Sequence, residues 1–212
     1  LDLSTFRAKY TTKNIDIKDL HQNALKQFEI WFNDAIEEKL LEPNAFSLAT
    51  VGNDMMPSIR TVLLKVFDEK GFVFFTNYES KKAKQIEENP KAAALFTWLQ
   101  LERQVKIEGS IEKISKTESL KYFLSRPKGS QLGAWVSTQS QVISSRALLE
   151  QKFDEIKRKF LNKEVPFPSF WGGYIIKPLK IEFWQGGEDR LHDRFLYELQ
   201  ENNSWKISRL AP

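Results

Sequence analysis

The chain contains no cysteine and only two histidines, at positions 21 and 192. The first absence rules out disulfides, a thiolate nucleophile and zinc–thiolate sites; the second leaves too few imidazoles for a histidine-built centre, so no metal site is expected. Its nine glycines form neither a P-loop nor a G-x-G-x-x-G fingerprint, which argues against a nucleoside triphosphate or a nicotinamide dinucleotide. No apolar run approaches the length needed to span a bilayer, and residues 1–20 lack the basic start and apolar middle of a secretion signal. No membrane partner is expected, and the expected compartment is cytoplasmic. Acid–base carboxylate pairs and a Ser-His-Asp order are missing too, so redox chemistry, if any, must come from an organic cofactor.

What is present is a globular composition: 41% hydrophobic and 28% charged residues, with sixteen Phe and six Trp in 212 residues. That length buries a real core and is read as one domain, 1–212, with a mobile N-terminal segment over about 1–18. The net charge of +4 is mild and spread along the chain. It lacks the dense basic stripe with interleaved aromatics that nucleic-acid binding requires, so no nucleic acid is expected.

Helical spacing of Leu20, Ala24, Phe28, Trp31, Phe32, Ala35, Ile36 and Leu40 predicts a helix over 19–41. The period then changes. Segments 45–51, 59–67, 72–76, 92–99 and 104–114 read as strands, followed later by 173–176, 179–184, 190–199 and 205–210. Shorter helices are expected over 81–88, 117–125 and 145–160, with loops at 127–131 and 162–171. Consecutive strands without long intervening helices imply a mainly β (α+β) protein, an antiparallel barrel-like sheet with peripheral helices.

Several constellations suit an anionic, planar ligand. Arg190, His192 and Arg194 share one face if 190–194 is extended, beside the aromatic and Gly-broken stretch 181–187; a charged edge strand that deters aggregation is the alternative. Arg60 and Lys65, five positions apart, point to opposite faces of a strand unless a bulge intervenes. Phe75 to Lys82 runs from a strand end into a helix start, with Thr76, Lys81 and Lys82 as a phosphate cradle, or as an ordinary capped helix. Tyr122 and Arg126, four apart, share a helix face near Ser130, and the run 137–141, including Gln139 and Ser140, offers amides and hydroxyls to a heterocycle.

The order of motifs adds a resemblance. Glu42-Pro-Asn-Ala45, Arg60-Thr-Val-Leu-Leu-Lys65, Arg103-Gln-Val-Lys-Ile-Glu-Gly109, Tyr122-Phe-Leu-Ser-Arg-Pro127, Ser130-Gln-Leu-Gly-Ala-Trp135, Trp171-Gly-Gly-Tyr174, Phe183-Trp-Gln-Gly186, residues 190–194 and Arg209-Leu-Ala-Pro212 together resemble the pyridoxamine 5′-phosphate oxidase family over nearly the whole chain. The resemblance implies a homodimeric antiparallel split β-barrel with FMN bound at the subunit interface. It implies FMN contacts from Arg60, Phe75, Thr76, Lys81, Lys82, Gln104, Gln139, Ser140, Trp184 and Arg194. Substrate contacts follow from Lys65, Tyr122, Arg126 and Ser130 at the phosphate, Arg190 and His192 at the ring, and Arg7 and Tyr10 from an N-terminal lid. Lys81 stands where Arg is frequent in the family and Phe75 where Tyr is, and 53–56 lacks a common Gly.

The implied reaction is oxidation of pyridoxamine or pyridoxine 5′-phosphate to pyridoxal 5′-phosphate, by hydride transfer from C4′ to flavin N5 and reduction of O2 to H2O2. Arg190 and His192 are the implied catalytic pair, with Arg190 over the reacting carbon and His192 at the ring. The rival readings are a related flavin oxidase acting on another metabolite and a non-catalytic pyridoxal-phosphate binder.

Overall fold

The computed structural model describes residues 1–3, 5, 10 and 14–212. Its elements are α1 (Ala24–Glu37), β1 (Ala45–Val51), β2 (Pro57–Leu63), β3 (Val66–Asp68), β4 (Gly71–Asn77), α2 (Lys81–Glu88), β5 (Lys91–Trp98), β6 (Arg103–Lys113), α3 (Lys116–Ser125), α4 (Lys128–Val136), α5 (Arg146–Lys159), β7 (Trp171–Gln185), β8 (Asp193–Leu199) and β9 (Trp205–Leu210). Helix α1 starts five residues later than its apolar spacing suggests, because the Asn23 side chain accepts from the amides of Leu25 and Lys26 and so fixes the first turn. It ends at Glu37, shortly before Lys39 takes a left-handed backbone (φ 54°).

The strands form one antiparallel sheet in the order β2-β1-β5-β6-β7-β4-β3, with β8 on β7 and β9 on β8. The sheet curls. Phe46 of β1 and Phe74 of β4 have ring centroids 6.0 Å apart, although β5, β6 and β7 lie between them in the sheet, where a flat arrangement would set them about 19 Å apart. Alternate residues of these strands point into the enclosure, as the buried–intermediate alternation of β1 and β6 shows.

Helix α1 fills the enclosure with Ala24, Phe28, Trp31 and Ala35, a helical stripe that is buried throughout. Phe28, with no exposed surface, meets the rings of Phe32, Phe67, Phe72, Phe96 and Trp98 at 4.8–6.0 Å. Burial of one such ring stabilises the fold by about 2–3 kcal/mol.

Strand β7 is continuous where the sequence suggests two strands. It pairs with β6 along its length, with β4 through residues 171–176 and with β8 through 180–185. The break expected at Lys177 and Pro178 is a register shift between Glu108 and Gly109 on the facing strand, a bulge that accommodates a proline inside a sheet. A Cβ on Gly109 would lie 2.0 Å from the Lys177 carbonyl oxygen.

Segment 127–131 belongs largely to α4 rather than to a loop. Pro127 precedes the first turn, and Leu132 and Val136, four apart, are buried. With Phe123, Val165 and Trp171, Leu132 forms a second, smaller core beside the curled sheet.

Candidate functional site

Strand β2, the end of β4, the start of α2, and α3, α4 and the segment 137–140 surround a cavity of about 910 Å³. Arg60, Lys65, Lys81, Lys82 and Arg126 line it, and no Asp or Glu among the described residues does. Arg60 sits opposite Leu48 in the β1–β2 register; its Nη1 donates to the Leu48 carbonyl (3.1 Å) and to Thr50 Oγ1 (2.7 Å). The odd offset to Lys65 does not separate the two cations, since β2 stops at Leu63 and Lys65 lies in the break before β3, its amide bonded to the Val73 carbonyl.

Ser80 caps α2 and brings Lys82 inward. Lys82 is 7% exposed, and its Nζ donates to Gln139 Oε1 (2.8 Å), Thr76 Oγ1 (3.1 Å) and Ser80 Oγ (3.4 Å). Thr76 Oγ1 also donates to Gln139 Oε1 at 3.0 Å, while Asn77 Nδ2 donates to the Ser137 carbonyl, so the 137–140 segment is tied to the end of β4. All three acceptors of the ammonium are neutral. Burial, and then the neighbouring Arg60 charge, push Lys82 down to about 8, and burial also lowers Arg60. Lys81 and Ser140 are exposed at the rim of the same cavity.

The other half of the cavity is aromatic. Phe75 stacks on Tyr122 at 3.9 Å and on Trp171 at 5.4 Å, and the Arg126 guanidinium lies 4.6 Å from the Trp171 ring centre. Arg126 Nη1 is buried without a hydrogen-bond partner, and burial lowers the pKa of this guanidinium while raising that of the Tyr122 hydroxyl. Ser130, in the first turn of α4, and Lys65 also line the cavity. Arg60 and Lys82 are electrostatic neighbours in this cavity, Arg126 lies against its aromatic wall, and the exposed Lys65 lines it as well.

The other described residues singled out from the sequence form a separate corner, and none of them lines the cavity. Gln104 pairs with Trp184 and Trp184 with Arg194 across β6, β7 and β8. Tyr10 stands edge-on to Trp184 (5.8 Å) and His192 (5.4 Å), and the Trp184 and His192 rings are 4.7 Å apart. His192 Nδ1 accepts from the Gly187 amide at 3.2 Å. Arg194 is fixed by Glu182 (2.8 Å) and the Ala211 carbonyl (2.8 Å).

One expectation is corrected. Residues 190–194 are not one extended run, because Asp189 and Arg190 take left-handed backbones (φ 51° and 65°) and β8 begins only at Asp193. His192 and Arg194 keep the alternation, with Asp193 and Phe195 buried between and beyond them. Arg190 stands outside it, exposed on a short turn, and forms no ion pair among the described residues. Arg7 lies outside the described residues.

Sequence reasoning gives no role to Trp171, Asp193 or Arg209, although all three stand in motifs it singles out. Asp193 accepts from the Ile15 amide (2.9 Å) and from Arg209, and Arg209 also reaches Asp16 (3.5 Å), so the C-terminal strand clasps the N-terminal segment beside His192. Among the described residues no cluster of three or more His, Asp or Glu could hold a metal ion, and no helix is long and apolar enough to cross a membrane.

A family model described as pyridoxamine 5′-phosphate oxidase matches residues 32–160, and a second, described as the pyridoxine 5′-phosphate oxidase C-terminal dimerisation region, matches 171–212. The chain is 82% identical over 212 residues, the full length of both, to a pyridoxine/pyridoxamine 5′-phosphate oxidase of Aliarcobacter butzleri, and 62% identical over 212 residues, again all of both, to one of Rippkaea orientalis. Among solved structures it is similar to PhzG from Burkholderia lata in complex with tetrahydrophenazine-1-carboxylic acid, with a TM-score of 0.89 and 27% identity over 97% of this chain and 100% of that one. It also shares its fold with a pyridoxamine 5′-phosphate oxidase-related, FMN-binding protein from Nostoc punctiforme, with a TM-score of 0.72 and 16% identity over 90% of this chain and 98% of that one.

Proposed function

The chain belongs to the pyridoxamine 5′-phosphate oxidase family, and from that premise we propose that it oxidises pyridoxamine and pyridoxine 5′-phosphate to pyridoxal 5′-phosphate with bound FMN, as a cytoplasmic homodimer in which residues 1–212 act as one unit. The observation that carries this reading is a cavity lined by Arg60, Lys65, Lys81, Lys82 and Arg126 with no carboxylate in its described lining. Lys82, buried, and Arg126, half-buried, have no acidic partner in that lining, an environment that an anion completes. The residues fit an FMN phosphate at Arg60, Thr76, Lys81 and Lys82, where the Lys82 ammonium meets only neutral acceptors. They fit a substrate phosphate at Lys65, Tyr122, Arg126 and Ser130, where Arg126 Nη1 lacks a hydrogen-bond partner. Phe75, Gln139 and Ser140 line the same cavity.

Bound FMN supplies what no side chain here has: acceptance of a hydride and onward reduction of O2 to H2O2. The protein's share is orientation and charge placement. Arg190, exposed on its turn, presses a permanent positive charge on the substrate ring, and His192, with Nδ1 engaged by Gly187, presents Nε2. Gln104, Trp184 and Arg194 complete the flavin site, and Tyr10 covers the Trp184 and His192 rings. In one copy the Tyr10–Trp184–His192 corner lies apart from the cavity, and the stretch matched as a dimerisation region includes Trp184 and His192. In the proposed dimer the corner of one copy closes the cavity of the other.

The phosphate set argues against an oxidase acting on a non-phosphorylated metabolite. The test is direct: the purified protein shows a flavin spectrum and, given pyridoxine 5′-phosphate in air, forms aldehyde and peroxide in equal amounts. Binding without peroxide indicates a carrier instead, and turnover of a non-phosphorylated amine in preference to the ester overturns the substrate assignment.

A further inference from the structure

Three arginines hold their guanidinium carbon close over an aromatic ring: Arg103 over Trp31 (4.4 Å), Arg209 over Phe195 (4.5 Å) and Arg126 over Trp171 (4.6 Å). Arg103 is also paired with Asp34, and Arg209 with Asp193. Arg126 alone of the three has no carboxylate partner among the described residues, and its Nη1 is buried without a hydrogen bond. A ring face holds it where a carboxylate helps to hold the other two.

That difference has a chemical meaning. A carboxylate neutralises a guanidinium and occupies its donors, whereas the face of an indole attracts the cation through its quadrupole and leaves the charge and the fork of N–H donors uncommitted. Trp171 is itself held firmly: it is 7% exposed, nearly parallel to Phe75 and Tyr122 (13° and 8°), and edge-on to Phe123. Gly173 makes room for this column, since a Cβ there would lie 2.9 Å from the Phe75 ring.

We propose that Trp171 is a positioning residue for substrate recognition, holding Arg126 by its ring face so that the guanidinium stays free for the phosphate of the substrate. The inference rests on the functional reading above for the identity of the phosphate ester, but not for the anion site. The experiment uses the FMN-loaded protein and the variants Trp171→Leu and Trp171→Phe, each alone and combined with Arg126→Lys. KM for pyridoxine 5′-phosphate and the dissociation constant of inorganic phosphate, by calorimetry, are measured beside FMN affinity.

Trp171→Leu is expected to raise KM and the phosphate dissociation constant together by about tenfold, with a smaller fall in kcat and FMN affinity within about twofold. Trp171→Phe, which keeps a weaker ring face, is expected to raise both by about threefold. Combined with Arg126→Lys, the ring replacements are expected to have little further effect, because the planar cation they serve is gone. Equal effects with and without Arg126→Lys, or a loss of FMN affinity in place of phosphate affinity, overturn the proposal. If Trp171→Leu does not fold, the Phe variant decides the same question at its smaller amplitude. Failure of the wild-type protein to oxidise the ester counts against the proposed function, while the inorganic phosphate measurements still decide the role of Trp171.

Discussion

With the FMN phosphate placed beside Lys82, as proposed, FMN binding is expected to depend on pH in a defined direction. The Lys82 ammonium is buried among neutral acceptors beside Arg60, and it titrates at about 8 in the ligand-free protein, against about 10.4 in an unfolded chain. A phosphate dianion beside it favours the charged form, so binding above pH 8 takes up a proton and binding well below it does not. The fraction of ligand-free protein carrying the proton falls from about nine-tenths at pH 7 to about one-tenth at pH 9, which weakens apparent FMN affinity about tenfold over that interval. The second ionisation of a phosphate ester, near pH 6, is nearly complete at pH 7 and adds little.

Fluorescence titration of apoprotein with FMN at pH 7, 8 and 9 reads the affinity. Calorimetry in buffers of different ionisation enthalpy reads the proton, about half per FMN at pH 8 and nine-tenths at pH 9. In Lys82→Arg the decline is expected to vanish, since guanidinium stays charged throughout. For the apoprotein the sign is opposite: a lowered lysine means the unfolded chain binds more protons between about pH 8 and 10, so stability rises with pH across that window. Affinity that is flat from pH 7 to 9 in the wild-type protein, or the same decline persisting in Lys82→Arg, refutes the reasoning.

If Arg190 acts at the substrate ring as proposed, Arg190→Met is expected to lower kcat/KM about a hundredfold, with FMN affinity held within about twofold; steady-state kinetics and a flavin titration measure the two. Glu182 is pushed up by burial, but hydrogen bonds from Arg194 and Lys106 outweigh this and lower it overall. Its contribution to stability is therefore present above the ordinary carboxylate range and lost as pH falls through its lower folded value. Glu182→Gln is expected to destabilise by about 1–2 kcal/mol, limited by the solvent that reaches Arg194 and Lys106, and to flatten the acid limb of a denaturation–pH profile. Phe28→Ala, at the centre of the aromatic core, is expected to destabilise by about 3–5 kcal/mol in chemical denaturation.

The strands of the curled sheet are largely legible in the sequence because period-two patterning survives wherever one face is enclosed, as in β1 and β6. What stays hidden depends on contacts or on backbone torsions. Gly129 and Gly133 make α4 look like a loop, and the helix exists because Leu132 and Val136 are buried against neighbouring elements. Nothing in the residue types of Asp189 and Arg190 announces two consecutive left-handed backbones, so the cationic row reads as straight when it is bent. Arg60 and Lys65 stand out as cations suited to anions, yet their meeting in one cavity follows from where β2 ends. Trp171 is visible as part of a motif, but its hold on Arg126 emerges only once Phe75, Tyr122 and Trp171 are stacked.

The proposed active site is shared between two copies, with the cavity of one and the His192 corner of the other. Arg126→Met damages only the cavity and Arg190→Met only the corner, so each homodimer is expected to be nearly inactive. A mixed dimer, co-produced with two tags and purified through both, then contains one site bearing both lesions and one bearing neither. Activity of about half that of the wild-type dimer is the predicted result; a mixed dimer as inactive as its parents contradicts the shared site.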